Sequence, residues 1–238
     1  MKKISIVLAA VFCCVLGAAD YAALTKEAKA AQKEKNFVLA GEKYAAAYNA
    51  AQEGKQKYAA ARAYGAFLAS QKQKDKAAEI YENELKKESY KPGERQRLLV
   101  DIAAMYLWDR NKYQYALDKI NFALSLKGVP EDSVLYYVMC HYAACIYSTF
   151  KKEYEPIITI CDPAAAKSKV NWHKATLYNS VAGAYAKLKM NDEAIKNYEL
   201  ALRYAKMDKG FVRSNGPKAL ERMEKALAKL KAEKATAK

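Results

Sequence analysis

The stretch NDEAIKNYELALRYA, residues 191–205, places Ala194, Tyr198, Ala201 and Leu202 at successive gaps of four, three and one. Such gaps return to one face of an α-helix, which completes a turn in about 3.6 residues. Two alanines at fixed offsets from a tyrosine imply a neighbour that approaches too closely for a larger side chain. The same spacing recurs upstream as Ala40/Tyr44/Ala47, Ala77/Tyr81/Leu85 and Ala116/Ile120/Ala123, with a further copy at Pro156/Ile160/Pro163. The copies lie 37, 39, 40 and 38 residues apart, a period that marks stacked helical repeats.

A second helical pattern precedes each copy. Tyr178, Val181, Ala182 and Tyr185 share one face at i, i+3, i+4 and i+7. The order recurs as Ala61/Tyr64/Gly65/Leu68, Leu99/Ile102/Ala103/Tyr106 and Cys140/Ala143/Ala144/Tyr147, and in a poorer form as Leu24/Glu27/Ala28/Ala31. Two antiparallel helices packed with the small residue of the first against the alanines of the second satisfy both patterns. Two positions depart from the rule. Pro156 and Pro163 stand where alanine is expected, which predicts a short helix ending near Cys161, because an interior proline costs about 3 kcal/mol. Glu84 stands where the second copy wants alanine, which predicts a looser, more exposed contact.

Composition agrees with an all-helical chain. Of 238 residues 52% are hydrophobic, while only 9 are Gly and 5 are Pro, so turn punctuation is sparse. Residues 1–19 read as a signal peptide: Lys2 and Lys3, an apolar run over 4–16, then Gly17, Ala18 and Ala19. A periplasmic or secreted location follows from that reading. Lipidation is disfavoured, because Cys13 and Cys14 follow Phe12 and Cys13 rather than a small residue. The formal charge is +15, and +13 once Lys2 and Lys3 are removed with the leader. Such a charge favours anionic partners, although export argues against nucleic acid. Cys140 and Cys145, five apart on one helix, point about 140° away from each other and should not bond. A Cys140–Cys161 bridge and three small buried thiols both remain open.

At this point the chain resembles the tetratricopeptide repeat (TPR) family, whose pattern of large, small and Tyr on the first helix, then Ala, aromatic and Ala on the second, is matched best by residues 178–201. The resemblance covers about residues 21–206, and the period exceeds the family's usual 34. It implies a solenoid of about five helix–turn–helix repeats over approximately 20–54, 55–92, 93–130, 131–170 and 171–206. It also implies a concave groove lined by the first helices. On this chain that surface takes Lys26, Lys29 and Lys33, then Arg62, Ala66 and Ala69, then Arg97, Ala104 and Trp108. His141, Tyr142 and Cys145 follow, and finally Thr176, Asn179, Gly183 and Lys187. Cations, aromatics and small residues together suit an extended peptide with acidic and apolar side chains. Trp108 and Tyr142 could equally pack against adjacent repeats. The Lys-x-x-x-Asn pair of the family's carboxylate clamp is absent from these faces.

Residues 207–238 read as a linker, a capping helix and a tail. Leu220, Met223, Leu227 and Leu230 give the helix an apolar face that would close the stack. Lys218, Arg222, Lys225 and Lys229 recur at i, i+4, i+7 and i+11 on nearly the opposite side. This stripe is either a solvated outer face or a docking surface for acidic lipid headgroups or another anionic envelope component.

Motifs for chemistry are lacking. There is no Gly-rich phosphate loop, H-E-x-x-H, G-x-S-x-G or zinc-finger spacing, and the two histidines, His141 and His173, fall in different helices. Asp101 and Asp109 share one helix face and cannot frame a substrate between them. The expectation is a non-enzymatic exported scaffold that needs no cofactor and no metal. It holds a protein or peptide partner in its groove, or alternatively attaches as a basic array to an anionic polymer or membrane surface.

Overall fold

The computed structural model describes residues 20–210 and 216–236, so the expected leader, the middle of the linker and the last two residues lie outside it. The described residues contain helices and no strand. In order these are α1 (20–33), α2 (Phe37–Ala50), α3 (Lys55–Ser70), α4 (Lys74–Leu85), α5 (Pro92–Tyr106) and α6 (Tyr113–Ser125). Then follow α7 (Val134–Ile146) with a π-helical extension (Tyr147–Lys151), α8 (Glu155–Lys167), α9 (Asn171–Lys187), α10 (Asn191–Met207) and α11 (Gly216–Thr236). No described helix is long and apolar enough to cross a membrane. The described residues form two compact units, one up to residue 98 and one from residue 99 on, with the division inside α5.

In the first unit each helix packs on the next because the small residues meet. Ala28 and Ala31 of α1 join Ala40 and Tyr44 of α2 and Phe67 of α3 in one buried cluster, with the Tyr44 and Phe67 rings 5.2 Å apart. Gly65 of α3 shows how close the approach is. A Cβ there would fall 2.4 Å from the ring of Tyr81 on α4, a contact no side chain can occupy. The Tyr81 hydroxyl donates to the Arg62 carbonyl at 3.2 Å, which pins the ring over that gap.

Glu84 corrects the sequence expectation of a loose, exposed contact: it is 0% exposed. Its carboxylate accepts from the Tyr48 hydroxyl at 2.6 Å, from the Lys87 ammonium at 3.1 Å and from the Tyr90 hydroxyl. Lys87 also pairs with Glu53 at 3.0 Å. A buried carboxylate is tolerated when its lone pairs are filled and a cation is in contact. Those partners come from residues 48–90, and the small-residue rule could not anticipate them.

The second unit repeats the arrangement. Cys140 and Ala144 of α7, Ile157, Cys161 and Ala164 of α8, and Leu177 and Val181 of α9 form one core cluster. Ala182, Ala194, Tyr198 and Ala201 join Met223 and Leu230 of α11 in a second. All three described cysteines are free thiols, and the Cys161 thiol lies 3.6 Å from the Cys140 carbonyl oxygen.

The fourth copy is corrected twice. Its buried set is Ile157/Cys161/Ala164, one residue later than Pro156/Ile160/Pro163, and Pro163 is exposed. One residue is about 100° of helix, so this shift turns both prolines off the contact face. The predicted stop near Cys161 also fails, since α8 runs on to Lys167 with Pro163 inside it. Pro156 sits in the first turn, where no backbone N–H partner is needed. Beyond Pro163, burial of Ala164 and Ala165 holds the last turn in place. The π segment inserts an extra residue into the preceding helix, as one-turn π bulges do.

Turns between paired helices are built alike in three places. The helix ends, a lysine takes a left-handed conformation, and the next residue opens the following helix. These lysines are Lys35, Lys72 and Lys189, with φ of 61°, 62° and 61°. The amide after each reaches back five residues: Asn36 to Ala31 (2.9 Å), Gln73 to Leu68 (2.9 Å) and Met190 to Tyr185 (3.0 Å). That is the bonding of a Schellman helix stop. Lys152 adopts the same φ, 58°, after the π segment.

Candidate functional site

A cleft of about 460 Å³ opens in the second unit among α7, its π extension, the start of α8 and α9. Asn179, Gly183 and Lys187 stand at i, i+4 and i+8 on α9 and therefore face it together. The lining also includes Cys145, Ser148 and Lys152 from the end of α7 and its π extension, Tyr154 and Ile157 from the start of α8, and Tyr198 of α10. Gly183 leaves the floor open, since a Cβ there would come no nearer than 3.9 Å to the Tyr198 hydroxyl.

Electrostatics give the cleft its character. Two lysines line it and no carboxylate does. The Lys152 ammonium donates to the Ser148 carbonyl at 3.1 Å, which ties it to the rim. Among the described residues neither the Asn179 amide nor the Lys187 ammonium has a hydrogen-bond or ion-pair partner. Cys145 lies 3.8 Å from His141 Nε2, while His141 Nδ1 is buried without a partner. Burial pushes the Cys145 thiol up to about 11 and lowers the His141 imidazole below its ordinary value. Both are neutral near pH 7, and the positive charge comes from lysine alone.

A second cavity, about 610 Å³, shares Lys187 and Tyr198 with the first. It continues between α9, α10 and α11 past Ala186, Lys189, Asn191, Ala226, Lys229, Leu230 and Glu233. Glu233 is paired with Lys229 at 3.7 Å.

Of the residues expected in a groove, Cys145, Asn179, Gly183 and Lys187 come together in the first cleft. His141 joins them through Cys145, and half-buried Tyr142 has its ring 6.3 Å from His141. Trp108 is 64% exposed, so it is not packed away as one alternative had it. Arg62 and Arg97 are half-buried in the first unit, where the Arg62 guanidinium lies 5.7 Å from the Tyr58 ring. In the α11 stripe all four cations are exposed, but two are already paired, Lys225 with Glu221 at 2.7 Å and Lys229 with Glu233. Lys218 and Arg222 have no carboxylate partner among the described residues.

Sequence reading missed Lys152, Lys189 and Tyr198 as lining residues. With the structural register of α8, Lys35, Lys72, Lys152 and Lys189 each stand five residues before a buried Ala40, Ala77, Ile157 or Ala194, an offset that marks the turn but not where its side chain goes. Among the described residues no group of three or more His, Cys, Asp or Glu side chains is placed to hold a metal ion. No family model matches the chain, and no curated protein matches it in sequence.

Proposed function

We propose that this chain is an exported, non-enzymatic scaffold of TPR-like solenoid type, which holds a protein or peptide partner in the groove formed by its first helices. The observation that carries this reading is the α7–α9 cleft, which has unpartnered hydrogen-bonding groups, two cations and an apolar floor, and no acid. Recurrent small-on-small helix contacts and the repeated left-handed lysine stop support the TPR-like assignment. The period of 37–41 residues measured between buried positions makes these repeats longer than the family norm.

The test uses the chain without residues 1–19, immobilised against an envelope and secreted-protein extract of its source. The captured partner is then purified and titrated. Gly183→Phe fills the open floor and should weaken that partner about tenfold, with the helical circular dichroism signal unchanged. Equal affinity for the variant would move the interface away from this cleft.

A further inference from the structure

We propose that the two adjoining cavities of the second unit act as one groove selecting a polypeptide segment rich in acidic and apolar side chains, with Lys152, Lys187 and Lys189 as the cations that set its specificity. The proposal rests on the groove-binding reading above and names the chemistry of the partner. Lys187 and Tyr198 border both cavities, so an extended chain can pass from one to the other without leaving the surface. Four ammoniums stand along that path, and the single acid lining it, Glu233, is already paired with one of them, Lys229, which leaves Lys152, Lys187 and Lys189. The same lining includes Ile157, Tyr198 and Leu230, which offer apolar contact that a phosphate polymer would leave unused.

The backbone adds a second argument. Lys152 and Lys189 occupy left-handed conformations that glycine adopts without steric cost. A cation at a helix C-terminus gains something from the helix dipole, and that gain is common to all four turns. Lys152 and Lys189 also line the two cavities described above. Lys35 and Lys72, in the first unit, share the conformation and supply internal comparators.

Three labelled peptides of equal length distinguish the outcomes: alternating Glu/Leu, alternating Gln/Leu and alternating Lys/Leu. Binding is read by fluorescence anisotropy at moderate salt, with inorganic polyphosphate as a competitor. The wild type should prefer Glu/Leu over Gln/Leu by about tenfold or more and should not bind Lys/Leu. The double variant Lys152→Gly/Lys189→Gly should lose most of that preference while keeping its Gln/Leu affinity. Lys187→Gln, which leaves the backbone untouched, should weaken Glu/Leu binding in the same direction. Lys35→Gly/Lys72→Gly should change the melting temperature as the groove double variant does, without changing peptide affinity. Equal Glu/Leu and Gln/Leu binding, or an unaffected groove double variant, overturns the charge-selection proposal and leaves peptide binding standing. Polyphosphate that displaces the Glu/Leu peptide and binds more tightly than it overturns the polypeptide assignment. Absence of binding by any of the three peptides, with partner affinity unaffected by Gly183→Phe, overturns the groove reading as well.

Discussion

Glu84 carries an ionised side chain at 0% exposure, held between two phenols and one ammonium. Removing one partner of such a buried network strands the others, so Glu84→Ala should cost about 3 kcal/mol by urea denaturation. Burial raises its pKa, but hydrogen bonds from Tyr48, Tyr90 and Lys87 outweigh that effect and hold it below the ordinary carboxylate value of 4.5. A depressed folded pKa contributes stability above the unfolded value, and that contribution fades as pH falls through the folded one. Wild-type stability should therefore drop below about pH 4.5 more steeply than that of Glu84→Gln, measured by thermal melts across acid pH. An equal slope in the two proteins would show that the network does not titrate as described. Gly65 gives a second residue-scale prediction. Its Cβ position lies 2.4 Å from the Tyr81 ring, so Gly65→Ala should destabilise by about 1–3 kcal/mol. Gly183→Ala, with 3.9 Å of clearance inside α9, should instead stabilise by about 0.5–1 kcal/mol, read as a higher melting temperature.

At the scale of elements, the α9–α10 pair depends on the thinness of its contact. Ala194 and Ala201 are both 0% exposed against a neighbouring helix, and Leu at either should overpack the pair by about 1–3 kcal/mol. Unchanged melting temperatures for both variants would refute the small-on-small pairing. Helix α8 offers the opposite sign. Pro163 is exposed and interior to α8, so it removes a helix hydrogen bond without filling any core. Pro163→Ala should raise stability by about 1–3 kcal/mol, read as a higher melting temperature. A fall instead would mean that proline rigidity in the unfolded chain outweighs the lost bond.

At the scale of the whole molecule, charge is the feature least tied to the fold. Residues 206–238 contain 10 basic and 4 acidic side chains, close to half of the positive excess of residues 20–238. Each cation near an acidic membrane surface contributes about 1 kcal/mol, and the α11 stripe has two cations already paired within their own helix. Sedimentation with acidic vesicles should thus be weak and should vanish at moderate salt. Changing Lys218, Arg222, Lys225 and Lys229 to Gln should remove it while leaving stability intact, because Met223 and Leu230 on the other face make the packing contact. Vesicle binding that persists at moderate salt would assign the attachment to something other than this stripe.

The sequence by itself determined the helical class, the pairing of helices and most contact faces. Ala40, Ala77, Ala116, Ala194 and their large partners Tyr44, Tyr81, Ile120 and Tyr198 could be read because close helix packing restricts residue size at regular intervals. Asn179, Gly183 and Lys187 could be placed together for the same reason, since a helix brings i, i+4 and i+8 onto one face. Where a local rule broke, only the tertiary structure decided the outcome. The contact face of α8 falls one residue later in the chain because the π segment takes up an extra residue before the Lys152 turn, a change invisible to spacing alone. Glu84 is buried because Tyr48 of α2 and Tyr90 from beyond the end of α4 converge on it with the neighbouring Lys87, and the spacing within α4 contains no record of the two phenols. Lys152 and Lys189 reach the cavities from turns, where neither periodicity nor propensity reports which way a side chain goes. Spacing along one helix is a local property, whereas burial of a charge and the lining of a cleft depend on what the rest of the chain brings alongside.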